Sequence, residues 1–412
     1  MCYIWWMEMK NTFKDDGMVI FFILVPLVYP LLYSWIYTNE VVREVPVAVI
    51  DMSHTKSSRT FIQKFDASPD VHVAYYCNNL TEAQALIGNH AAYGIIYLPS
   101  DYEQRIGRGE QAHVSVYCDM SLMLTYKAIY QTATSVSMLL GSEIQASKSG
   151  SFTQRDAELS TEPIHIEGIP LFNATGGYGN ALLPSVLLLI LQQTLLLGIG
   201  LSAGTARENN RYQDLVPISK HYNGIFRIVL GKSLCYFMFY AVMGTYVALC
   251  VPRLFGYTTI ISNPTYMIGL MVPFLLSCIF FGMFLSCLVR YRENIMLLVV
   301  FTSVPMLFLV GASWPEPAIP GYWKSISWLI PSTFGVRGYL TISSMGGTLQ
   351  DIEPEYQALW IQTAVYFFLT CIVYRHQILR ARRHATDQMK SIQEKVRQAV
   401  AKKSPQSDDL SI

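Results

Sequence analysis

Six stretches of this 412-residue chain run for 17 to 39 residues without one Asp, Glu, Lys or Arg. Nothing else in the sequence limits the fold as strongly, because a bilayer core about 30 Å thick needs ~20 consecutive, mostly apolar helical residues. The stretches are Met18–Tyr37, Gly168–Ala206 (densest over Ala181–Ala203), Ser233–Val251, Tyr266–Val289, Ile295–Ser313 and Ala358–Tyr374. The third extends back to Ile225 if Arg227 and Lys232 snorkel toward one interface. Charged residues make up 14% of the chain and hydrophobic ones 52%, against about 25% charged in an average soluble domain. That balance excludes a disordered chain and argues against a freely soluble enzyme. A net charge of +1 leaves no global basic field for nucleic acid. Lys10 and Lys14 precede the first stretch as in a signal peptide, but no small-x-small cleavage site follows, so it reads as a retained anchor. The expectation is a polytopic α-helical membrane protein with six transmembrane helices, the first over residues 18–37 and the rest within 178–376.

Six crossings put both termini on one side, and the Lys/Arg distribution says which. Residues 1–17 carry Lys10 and Lys14, residues 204–224 carry Arg207, Arg211 and Lys220, and residues 290–294 carry Arg290 and Arg292. The tail, residues 377–412, adds eight more, from Arg380 to Lys403. Opposite them, the short connections hold only Arg253, Lys324 and Arg337. Both termini are expected in the cytoplasm, at a bacterial cytoplasmic (inner) membrane.

Residues 38–177 are too many for a structureless connection. Val45–Asp51 reads as a buried strand, Thr55–Phe65 as a helix, Val71–Tyr76 as a strand and Thr81–Gly88 as a helix capped by Thr81. Ala92–Leu98 and Val114–Cys118 read as strands, and Ser121–Gly150 as one long helix. Strands alternating with helices predict an inserted extracytoplasmic α/β domain. Binding a substrate or partner, and bracing the first two spans, are equally open roles for it. Cys77 and Cys118 are candidates for a disulfide there, which needs Cα atoms about 4–7 Å apart, a distance that chain spacing does not fix.

No catalytic constellation is present. Gly231-Lys232-Ser233 matches the end of a phosphate-binding loop, but position 226 is Phe where the motif needs Gly, and a span follows. His54, His72, His90, His113 and His165 are scattered as solvated histidines are, and no Cys/His spacing suits a metal. No cofactor is expected on this chain. The spans as bounded above lack central ionisable residues, which disfavours an autonomous ion-coupled transporter. The polar pair Gln192-Gln193 in the second span either lines a path or bonds a neighbouring helix.

Two polar segments are more informative. Residues 207–219, with Arg207, Glu208, Arg211, Asp214, Leu215 and Pro217-Ile218-Ser219, resemble the cytoplasmic Glu…Gly-Thr…Leu…Pro-[Ile/Val]-[Ser/Thr] run of ABC-2 type exporter permeases, the type V exporter fold. Here Tyr212-Gln213 stands where that family has Gly-Thr. Gly311-Ala312-Ser313-Trp314-Pro315-Glu316-Pro317, Ile319-Pro320, Pro331-Ser332-Thr333 and Arg337 resemble the family's closing signature. Residues 10–17 are similar to its amphipathic lead-in, and one span, a large outer domain and five further spans match a subgroup of it.

The resemblance implies a permease subunit of an ATP-driven exporter, carrying a drug, lipid, glycan or peptide out of the cytoplasm or the inner leaflet. ATP and Mg would sit on a separate ABC ATPase subunit. A second permease, identical or sibling, would complete a dimer, and a periplasmic adaptor is a further candidate partner. Arg207, Glu208, Arg211, Asp214 and Pro217, within the coupling segment 204–224, would meet the ATPase. Gln192, Gln193, Pro315, Pro320, Pro331 and Arg337 would line or roof the path. The roof would be a re-entrant stretch, residues 314–348, broken by its prolines into short helices. The competing reading is a non-transporting receptor or assembly factor whose outer domain binds a partner.

Overall fold

The computed structural model describes residues 1–149, 171–173, 176–208, 224–257, 259–261, 263–288 and 291–403. They fall into two units, Met1–Thr38 with Phe172–Ile412, and Asn39–Leu171. The first unit begins with helix α1 (Cys2–Lys14), whose buried Ile4, Glu8 and Thr12 recur every fourth residue and so share one face. Asp15 ends α1 and caps the next helix, its carboxylate accepting the N–H groups of Gly17 and Met18 at 3.0 and 3.4 Å. That helix, α2 (Asp16–Ile36), is the first of six, among the described residues, long and apolar enough to cross a membrane. Pro26 has no N–H and crowds the carbonyl of Phe22. The helix accordingly widens to i→i+5 turns over Ile20–Leu24, just before the proline.

The second unit follows in the order β1 (Val45–Asp51), α3 (Lys56–Asp66), β2 (Val71–Tyr76), α4 (Leu80–Gly88), β3 (Gly94–Leu98), α5 (Tyr102–Arg108), β4 (Ser115–Cys118) and α6 (Met123–Ser149). The sheet order is β2-β1-β3-β4, with the first three parallel and β4 antiparallel to β3. On β1, Val45, Val47 and Val49 pack with Phe61, Phe65 and Ile129, while Ala48 and Ile50 pack on the other side with Ala83 and Ile95. Burial of both faces is why β1 is a continuous apolar run rather than an alternating one. Gly94 is where α6 comes closest, since a Cβ there would lie 2.8 Å from Ile129 Cδ1.

Three expectations for this unit need correction. Asn79, not Thr81, caps α4, its side chain accepting the Glu82 N–H at 2.7 Å. Helix α5 has no counterpart in the sequence reading. The Cys77–Cys118 disulfide is absent, and both thiols are free. Cys77 extends β2 beyond its last residue, its N–H bonded to Val49, whereas Cys118 pairs with Gly94 from the opposite edge strand. Three strand spacings, about 14 Å, separate them, twice what a disulfide spans.

The remaining helices are α7 (Tyr178–Glu208), α8 (Ile225–Leu254), α9 (Pro264–Leu288), α10 (Arg292–Leu309), the short α11 (Gly321–Ser327), α12 (Pro331–Ser344) and α13 (Glu353–Lys403). The apolar windows of α7 and α9 are 72% and 67% buried, against 22% for α2 and α10, so α7 and α9 form the centre. Helix α8 repeats the device of α2: i→i+5 turns at Tyr246–Cys250 precede Pro252, and the Tyr339 hydroxyl donates to the Ala248 carbonyl at 3.4 Å. Helix α7 runs antiparallel to both α8 and α10. Tyr236 of α8 lies by Ser202 of α7, Tyr240 by Thr194, and Met306 of α10 by Gln192.

Helices α9 and α13 run parallel and are laced at seven-residue intervals. Thr363, Thr370 and Gln377 donate to the carbonyls of Pro273, Phe280 and Cys287 at 3.2, 3.0 and 3.1 Å. The six spans expected from sequence all occur, shifted by a turn or so at their ends.

Candidate functional site

The helical unit concentrates its long-range polar contacts in two places. One is the break between α11 and α12. Helix α11 stops at Ser327, Ile330 is extended, and Pro331, with no N–H to place, starts α12. The Ile330 carbonyl accepts the Thr333 N–H at 3.1 Å, and the three carbonyls before it have side-chain donors. Thr333 donates to Ser327 at 2.7 Å, Gln362 of α13 to Trp328 at 2.7 Å, and the Tyr366 hydroxyl to Leu329. Gln362 in turn accepts from Ser277 of α9 at 3.3 Å. The first N–H of α12 that needs a partner, that of Ser332, donates to Gln192 Oε1 at 2.7 Å. Gln192 lies midway along the apolar stretch Tyr178–Thr205, so the break is level with the middle of α7. A non-helical backbone whose polar groups are all met by protein can sit where water is absent. Gly335 and Gly338 let α12 lie against α9, where a Cβ at 338 would be 3.0 Å from Leu270 Cδ1.

Glu316, in the short turn Glu316–Ala318 ahead of α11, holds Lys324 at 2.8 Å and Arg337 at 3.2 Å. The hydrogen bond from Lys324, opposed by partial burial and reinforced by Arg337, keeps the Glu316 carboxyl below the usual carboxylate range.

The second concentration ties α1 and Asp15 to the bundle. Glu8 Oε2 pairs with Lys232 Nζ of α8 at 2.9 Å, with both side chains only 6% exposed. Its Oε1 accepts from Ser202 of α7 at 3.0 Å and from the Tyr236 hydroxyl. Burial by itself pushes this carboxyl up, but Lys232 and the two hydroxyls outweigh it and hold Glu8 below its usual range. Asp15 meets Arg292 of α10 at 2.8 Å and accepts from Thr205 of α7 at 3.0 Å. The start of α2, the end of α7 and the start of α10 are thereby gathered around one carboxylate.

Of the residues singled out from sequence, Gln192, Gln193, Pro331 and Arg337 come together around α12. Gln192 acts between helices: besides Ser332 it reaches Met306 Sδ and Cys278 Sγ, each at 3.6 Å, while Gln193 reaches Met306 Sδ at 3.1 Å. Pro315 and Pro320 are exposed, immediately ahead of the Glu316 turn and of α11. Arg207 and Glu208 are the last residues of α7. Arg211, Asp214 and Pro217 lie outside the described residues.

Sequence reasoning missed Glu8, Asp15, Gln362 and Tyr366, and it misplaced Lys232, which is buried in an ion pair rather than snorkelling. The four-residue spacing of Ile4, Glu8 and Thr12 was the available signal for Glu8. Among the described residues, no cluster of His, Cys, Asp and Glu could hold a metal ion.

The profile of the family described as ABC-2 family transporter protein matches residues 17–372 of the chain. No curated protein matches the chain.

Proposed function

This chain belongs to the ABC-2 transporter family, and we propose that it is the permease subunit of an ATP-driven exporter, worked by a separate ABC ATPase that binds ATP and Mg. As a member of that family, with six helices long and apolar enough to cross a membrane among its described residues, the protein is a multi-pass membrane transport component. In the proposed arrangement both termini face the cytoplasm of a bacterial inner membrane, the α/β unit lies outside, and a second permease completes a dimer. The cargo is a drug, lipid, glycan or peptide drawn from the cytoplasm or the inner leaflet.

The observation that carries the reading is how the helices flanking residues 209–223 are held. Glu8 accepts from Ser202, on the helix leading into that stretch, and pairs with Lys232, on the helix leading out of it. A polar segment anchored at both ends to one buried carboxylate is suited to receive a push and pass it to α7 and α8 together.

The test is co-purification of the full chain with its ATPase, followed by ATP hydrolysis in liposomes. The complex is expected to hydrolyse ATP, and the double variant Glu208→Lys/Asp214→Lys to lose ATPase association while still inserting. A membrane-inserted double variant that binds the ATPase as well as wild type does would refute the coupling role. A wild-type chain that retains no ATPase would refute the exporter reading.

A further inference from the structure

Helix α7 is unbroken for 31 residues, from Tyr178 to Glu208; at 1.5 Å per residue that is about 46 Å. Its C-terminal half is seated by glycines on two neighbours. Gly198 faces the ring of Phe22, Gly200 faces Ile295, and a Cβ at Gly204 would lie 2.8 Å from Arg292 Cα. Helices α2, α7 and α10 therefore have no slack between them over that half. Helices α9 and α13, laced at three levels, form the other close group. The α11–α12 break belongs to that second group, through Gln362 and Tyr366 and through Gly335 and Gly338 against α9. The two groups pack where Gly282 of α9 faces Leu196 and Ile199 of α7, and at mid-depth Gln192 adds a polar tie, through the 2.7 Å bond to the Ser332 N–H and the contact to Cys278.

We infer that Gln192 is a positioning residue, a latch through which displacement of α7 reaches the break between α11 and α12. The inference rests on the exporter reading above, in which residues 209–223 receive the ATPase stroke and α7 is the helix they move. A shift of one residue rise, about 1.5 Å, directed along the bond would stretch it beyond hydrogen-bonding range. The break must therefore follow α7 or lose the side-chain acceptor of the Ser332 N–H. Two polar atoms beside the latch are unpartnered and buried, Gln193 Oε1 and Ser332 Oγ. Orphaned buried polar atoms are rare and call for an explanation. Here one is a spare acceptor on the residue after Gln192 and the other a spare hydroxyl on the donor residue itself, so a bond broken at one position has groups beside it with which to be remade.

The experiment uses the full chain with its ATPase in liposomes and Cys278 as reporter, 3.6 Å from Gln192 Oε1, the other seven of the eight cysteines being replaced by serine. The rate of N-ethylmaleimide labelling is compared without nucleotide and after trapping with ATP and vanadate. With Gln192 present the rate is expected to change severalfold on trapping. Gln192→Leu, which removes the acceptor, should abolish that change while ATP hydrolysis continues. Gln192→Glu, which keeps an acceptor oxygen at the same reach, should restore it. Ser332→Pro deletes the donor from the other end, in a helix turn that tolerates proline, and should behave as Gln192→Leu does. A change on trapping that survives in either Gln192→Leu or Ser332→Pro overturns the latch, as does a wild-type complex that hydrolyses ATP with no change at Cys278. A wild-type complex that hydrolyses no ATP overturns the exporter reading and the latch with it.

Discussion

Replacing Lys232 with Met tests the tie between α1 and the bundle. The substitution removes the ammonium from a pair 2.9 Å apart whose side chains are each 6% exposed, leaving Glu8 charged and buried. Stripping one partner from a buried pair costs about 3–5 kcal/mol. Tyr236 and Ser202 still donate to Glu8, so the expected loss lies at the low end, about 3 kcal/mol. The double variant Glu8→Gln/Lys232→Met buries no charge and keeps an acceptor for both hydroxyls, so it should lose less than the single variant. The pH dependence supplies a sign. In wild type the Glu8 carboxyl is held low, so its contribution is complete above the ordinary carboxylate value of ~4.3 and is lost as pH falls through the lowered one. Without Lys232 the largest lowering influence is gone, and burial pushes the carboxyl up from its wild-type value. The variant's deficit is then full above that raised value and shrinks as pH falls through it. Thermal unfolding of the full chain in detergent, followed by tryptophan fluorescence from about pH 4 to 8, reads both effects. A single variant as stable as the double one, or a deficit flat across that range, would refute the reasoning.

The close contact at Gly204 and the open space at Gly141 predict opposite signs for the same change. Gly204→Ala drives a Cβ to 2.8 Å from Arg292 Cα and should cost about 1–3 kcal/mol. Gly141→Ala, inside α6 with nothing within 4 Å, should gain up to about 1 kcal/mol by the same unfolding assay. Burial pushes the Cys118 thiol up to about 11. Its alkylation rate should rise about tenfold per pH unit and level off only near that value, with no Cys77–Cys118 band on non-reducing gels.

The sequence reading was strongest where one physical constraint acts alone. Val45–Asp51 was placed to the residue because a strand at the centre of a parallel sheet must be apolar throughout, and Val71–Tyr76, an edge strand that buries only Val71 and Val73, was placed by β-branched and aromatic residues between turn residues. The break between α11 and α12 was legible from the density of Pro315, Pro317, Pro320 and Pro331. The groups that satisfy it were not, because Gln192 and Gln362 lie 140 and 34 residues from the atoms they bond. Lys232 was misread for a related reason. A cation near a span end snorkels unless a carboxylate comes to it, and Glu8 arrives from 224 positions away on a different helix. Helix α5 was missed because seven residues make barely two turns, too few to establish a period. The cap of α4 went to Asn79 because its amide reaches the Glu82 N–H, which also frees the Glu82 carboxylate to take the Asn78 N–H at 3.0 Å.

The lacing of α9 to α13 bears on the order in which the chain can assemble. The acceptors at Pro273 and Phe280 are carbonyls inside α9 with two lone pairs, one of which suffices for their own helix, whereas Cys287 stands in its last turn. Thr363 likewise donates to Leu359 of its own helix at 2.8 Å as well as to Pro273 across the interface. At the first two rungs α9 therefore leaves no polar group unmet while it waits for α13, synthesised some 90 residues later. Each can enter the bilayer as a finished cylinder, and the rungs close afterwards by docking. The information for alignment is held by α13 alone, since a carbonyl accepts whatever side chain sits above it. Drift in the side chains at 273, 280 and 287 would leave the seam intact, whereas a single inserted residue between Thr363 and Gln377 would throw later rungs about 100° out of line.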